Sequence, residues 1–77
     1  MGKRKKKRFR KKILDQFLLT DKFSLPIETI MEYGRDAAQR RAEVSGWFDL
    51  SVKLLEQKQV HRENHYTFLI CGREYEP

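Results

Sequence analysis

Nine of the first twelve residues carry a cation suited to phosphate: Lys3, Arg4, Lys5, Lys6, Lys7, Arg8, Arg10, Lys11 and Lys12, with no acid among them. Each that reaches a phosphate releases condensed counterions, so about six to nine such contacts would give salt-sensitive affinity with little sequence preference. Phe9 lies inside the run, where it could stack on an unpaired base. Its spacing to Ile13 and Phe17 favours a core or partner contact over stacking.

Other uses of the run compete with phosphate binding. "KRKKKR" also fits a basic nuclear localisation signal or a solubilising tail. "KKRFRKKILDQFLL" joins a cationic face to an apolar one, as helices at membrane interfaces and calmodulin-target helices do. Asp15 and the acidic balance of the remaining chain argue against a lipid anchor. A second basic cluster, "RDAAQRR", holds Arg35, Arg40 and Arg41. On one helix Arg35 and Arg41 diverge in angle, so only a subset can face a ligand, and Arg40 and Arg41 are the candidate nucleic-acid contacts. A solvated helix surface is the competing reading.

Other chemistry finds less support. His61, His65 and Cys71 could begin a metal site, but His-x-x-x-His loses its helical meaning on a strand, and a closed zinc site needs four ligands, thiolates usually prominent. A Cys–His nucleophile pair from the same residues lacks an oxyanion hole. The four glycines are scattered, so no phosphate-cradling loop is present, and carboxylate pairs such as Asp15 with Asp21 or Glu74 with Glu76 fall on expected surfaces. These patterns imply no catalytic residues, no metal and no cofactor. Trp47, Phe48, Tyr66, Phe68 and Tyr75 could form an aromatic sheet face for unpaired bases. A chain with so few large apolar groups is expected to bury most of them, leaving Trp47 and Tyr75 exposed.

Charge is segregated. Residues 1–12 hold nine of the seventeen cations, leaving eight against all eleven acids, so residues 13–77 carry −3 while the whole chain carries +6. Attraction to polyanions must therefore concentrate at one end. Seventy-seven residues bound the chain to one small domain. Residues 1–12 read as a basic N-terminal arm and residues 13–77 as a single small domain. The single cysteine excludes an internal disulfide, and no run is long and apolar enough for a membrane-spanning helix. The expected setting is intracellular and cytoplasmic, or nuclear in a eukaryote.

The elements follow from periodicity and punctuation. Phe9, Ile13, Leu14, Phe17 and Leu18 recur at helical spacing and predict a first helix over residues 5–19. "TDKFSLP" breaks it, and Ser24 or Leu25 should start a second helix, with Ser24 the better cap. Its apolar face would be Ile27, Ile30, Met31, Ala37, Ala38 and Val44, and Gly46 would end it. Gly34 could kink or divide it. "WFDLSVKLL" alternates as a half-buried strand and also offers helical spacings; strand is preferred. "EQKQ" reads as a turn. "HYTFLIC" is a strand ended by Gly72, and "VHREN" either forms a short intervening strand with a turn at Glu63 and Asn64 or remains a loop. The expected fold is α+β: two N-terminal helices, or three if the second divides, packed on a small C-terminal antiparallel hairpin or meander. The expected function is nucleic-acid binding through the arm, with RNA or a ribonucleoprotein favoured over DNA, a protein partner on the folded body as an accessory, and a membrane disfavoured. The alternative is a protein-interaction or regulatory module whose arm is a targeting or docking element.

Overall fold

"ENHYTFLICGRE" alternates so that Tyr66, Phe68 and Ile70 share one face of a strand, and those three side chains form the centre of the core, none more than 2% exposed. A strand this apolar on one face needs partners along both edges and a cover over that face. The computed structural model, which describes residues 11–75, supplies both. Its elements are β1 (Lys12–Asp21), α1 (Ile27–Ser45), β2 (Trp47–Val60) and β3 (Glu63–Glu74). β3 lies in the middle of a three-stranded sheet of order β1-β3-β2, antiparallel to both neighbours. β1 and β2 therefore run parallel on either side of it, joined through α1 as a split β-α-β unit.

This corrects the expected architecture. The structure has one helix and three strands, not two or three helices on a hairpin. The segment read as the first helix is β1 from Lys12 onward, while residues 1–10 lie outside the described residues. Helical spacing misled because a register shift between Ile13 and Asp15 disturbs the strand's alternation. Leu14, at the shift, packs against the core, as does Leu19, while Phe17 is buried within it. Ile13 and Leu18 are left 66% and 56% exposed. Pairing with the free edge of β3 outweighs a helix that would have left that edge open.

Asp21 closes β1 and shapes the loop to α1. Its buried carboxylate accepts the backbone N–H of Phe23 and of Leu25, each at 2.9 Å. The helix then starts at Ile27 with Pro26 as its cap, two residues beyond the expected Ser24 cap, and the Pro26 carbonyl accepts from Thr29 and Ile30. It runs unbroken through Gly34 and ends at Gly46, whose φ of 78° is the left-handed conformation of a C-terminal cap. Its buried face is Ile30, Gly34, Ala38 and Ala42, a row at four-residue spacing, whereas Val44 is 89% exposed. Gly34 is not a hinge. A Cβ there would stand 2.6 Å from the Phe68 ring, so the missing side chain lets the helix approach the sheet.

The β2–β3 hairpin is longer than expected and turns elsewhere. "EQKQ" belongs to β2, Glu63 and Asn64 belong to β3, and β3 continues past Gly72 to Glu74. The turn is His61-Arg62, closed by the Val60↔Glu63 pair. Both residues have positive φ, 49° and 70°, the signature of a type I′ turn that ordinarily calls for Asn-Gly.

Two stability changes follow. Gly34→Ala gains about 1 kcal/mol of helix propensity, yet the overpacking against Phe68 costs about 1–3 kcal/mol or more, so the denaturant midpoint should fall. Adding Phe68→Leu should make the combined loss smaller than the sum of the two single losses. Conversely, His61→Asn with Arg62→Gly should raise stability by about 1 kcal/mol or more by relieving two left-handed residues, read as a higher melting temperature.

Candidate nucleic-acid interface

The basic run enters the fold at one end of the sheet. Lys3, Arg4, Lys5, Lys6, Lys7, Arg8 and Arg10 lie outside the described residues. Lys11 is exposed and without regular structure, and Lys12 opens β1 as an edge strand, where its ammonium pairs with Glu74 of β3. Phe48 stacks on the exposed Tyr75 at the same end, with ring centroids 4.6 Å apart. Arg73 Nε lies within ion-pair range of Asp49 Oδ2.

The other expected contacts, Arg40 and Arg41, come from the C-terminal half of α1, and the fold gives them different roles. Arg41 Nη1 donates to Asp15 Oδ2 at 2.6 Å, and its guanidinium carbon lies 4.7 Å from the centroid of the Phe17 ring. Ion pair and ring together hold this side chain against β1. Arg40 is mostly exposed, and its Nη2 lies 3.0 Å from Asp36 Oδ2 one turn back. An exposed pair of this kind contributes only about 0.3–0.5 kcal/mol, so Arg40 can exchange its carboxylate for another anion. Arg35 is also exposed on α1.

Between the end of α1 and the start of β2 the surface opens into a groove of about 400 Å³, lined by Asp15, Arg40, Arg41, Val44, Ser45 and Trp47. Trp47 is half-buried and packs against the core while contributing to this wall. The groove thus joins the α1–β2 junction to β1, which lies more than twenty residues earlier in sequence. No local signal marks Asp15 as part of its lining or as the partner of Arg41, which is 26 residues away.

Asp15 is held in its ionised form by two donors. The Gln16 N–H donating to its Oδ1 and the Arg41 guanidinium on its Oδ2 hold the carboxyl below the usual aspartate range, against a smaller opposing effect of burial. The Arg41–Asp15 pair is therefore an ion pair throughout the neutral range.

The aromatic sheet face is closed to bases, because Tyr66 and Phe68 lie beneath α1. The residues considered for metal or nucleophile chemistry are dispersed. His61 sits in the hairpin turn, His65 Nε2 lies 3.2 Å from Glu63 Oε1, and Cys71 is half-buried six residues further along β3. Six strand residues span roughly 20 Å, so Cys71 and His65 cannot act as a pair. Among the described residues no cluster of His, Cys, Asp or Glu could hold a metal ion, and no helix is long and apolar enough to cross a membrane. Comparison with protein-family models, with curated proteins and with solved structures finds no match for this chain.

The Asp15 geometry has a pH signature. A carboxyl lowered on folding stabilises the native state fully above its unfolded value, and that contribution is lost as pH falls through the lowered folded value. Asp15→Asn should therefore cost on the order of 0.5 kcal/mol at neutral pH. It should also shrink the loss of stability across the acid range, read by urea unfolding from neutral to acidic pH.

Proposed function

We propose that this protein binds nucleic acid, RNA in preference to DNA, and holds its phosphates chiefly through Lys3, Arg4, Lys5, Lys6, Lys7, Arg8, Arg10, Lys11 and Lys12. The observation that carries this reading is charge segregation: nine cations without an acid precede a body of net charge −3. Two features of the body support it. The basic run meets the sheet on the strand that also contributes Asp15 to the groove, so additional contacts lie within reach. The helix has the wrong charge for the major groove of duplex DNA, since Glu28, Glu32, Asp36 and Glu43 are exposed along it beside Arg35, Arg40 and Arg41. RNA with unpaired segments asks less of a recognition helix. The single cysteine suits a reducing, intracellular setting.

A second reading, a protein-interaction module, draws on the side of the sheet that bears the exposed Ile13 and Leu18 and on its two outer strands. The arm would then serve as a docking or targeting element.

The two readings separate when the seven cations between residues 3 and 10 are replaced by Gln in the full chain. The parent should bind single-stranded RNA more tightly than duplex DNA of equal length. Its affinity should fall roughly 10³-fold between 50 and 200 mM KCl. The substituted chain should lose most of that affinity and most of the salt dependence. Undiminished binding after substitution would remove the arm from the function.

A further inference from the structure

We infer that the groove between α1 and β2 is a stacking site for one unpaired base of the RNA whose backbone the arm holds, with Trp47 as the platform and Arg40 as a phosphate contact. This rests on the nucleic-acid reading and adds a second, base-dependent component to it.

The groove combines what such a site needs. Its volume of about 400 Å³ is at the lower end of small-ligand sites, and it is open to solvent, so a strand can enter from the side. One wall is the half-buried indole of Trp47, held by the core and therefore already ordered before a base arrives. Val44, 89% exposed, extends the apolar part of the wall. Two guanidinium groups stand beside it. Arg41 is fixed by Asp15 and Phe17 and shapes the floor, whereas Arg40 is bound only by an exposed one-turn ion pair and is available to a phosphate. Arg41 is neutralised by Asp15 and Arg40 by the exposed Asp36, so the attraction for an anionic strand comes from Arg40 exchanging Asp36 for a phosphate. Entry to the site from the arm is short, since Asp15 lies on β1 only three residues after Lys12. A neutral ligand would make no use of Arg40, and an acidic peptide would make none of the indole face.

Trp47 is the only tryptophan in the chain, so its emission reports on this groove alone. The full-length protein is titrated with a single-stranded oligouridylate of about ten nucleotides and with an abasic ribose-phosphate oligomer of equal length. The oligouridylate should quench Trp47 and bind roughly 5- to 150-fold tighter than the abasic oligomer at equal salt. The abasic oligomer should bind through phosphates and leave the emission unchanged. Trp47→Leu, followed by anisotropy of a labelled oligomer, should bring the two ligands to near parity while retaining the salt slope, and Trp47→Phe should restore part of the preference. Arg40→Gln disturbs no core contact. It should lower the salt slope by about 0.7 with the quench retained, which protects the test should Trp47→Leu fail to fold. Equal affinity for both oligomers with unaltered Trp47 emission would overturn the stacking site and leave the arm reading standing. Absence of binding by either oligomer at low salt would overturn both.

Discussion

The approach of α1 to Phe68 sets the position of everything else. Ile30, Gly34, Ala38 and Ala42 form one row along the helix, and at Gly34 even a methyl group would collide with the ring of Phe68. Small side chains at this seam let the helix lie close to the sheet, so that the fully buried Phe68 and Ile70 are covered by a single helix. The same seam carries Arg41 over Phe17 and within hydrogen-bond reach of Asp15, and brings Val44 and Ser45 alongside Trp47. A helix held further from the sheet would leave no defined groove.

Electrostatics in the body are local. Lys12 with Glu74, Arg40 with Asp36, Arg41 with Asp15 and Arg73 with Asp49 join neighbouring elements or successive turns, all at partly exposed positions. Pairs of this kind contribute little to stability individually, but they hold three of the body's eight cations, Arg40, Arg41 and Arg73, beside its own acids. The cations of the first twelve residues have no acids among them in sequence, which concentrates the long-range field there.

Parts of this were legible residue by residue. Gly46 marked the end of the helix because it accepts a left-handed cap, while the opening cap, expected at Ser24 or Leu25, falls at Pro26 instead. The alternation of Tyr66, Phe68 and Ile70 marked β3, and Tyr75 was marked as an exposed aromatic, whereas Trp47, expected to be exposed as well, is half-buried against the core. β1 was not legible. Its apolar residues satisfy a helical period as well as a strand interrupted at Leu14, and only the vacant edge of β3 decides between them. The turn at His61-Arg62 was hidden for a different reason. Neither residue announces positive φ, so Glu63 and Asn64, with better turn chemistry, drew the reading two positions downstream.

By itself, the sequence determined the segregation of charge, a helix ending at Gly46 and the strand character of residues 65–71, because each depends on residue type and near neighbours. Only tertiary structure decided that residues 12–21 form an edge strand, that Gly34 is a contact surface and that Asp15, Arg41 and Trp47 meet. Those outcomes depend on which distant segment supplies the partner: a second strand for β3, a ring for a glycine, a carboxylate for an arginine. Periodicity along one segment carries no information about the surface it will meet.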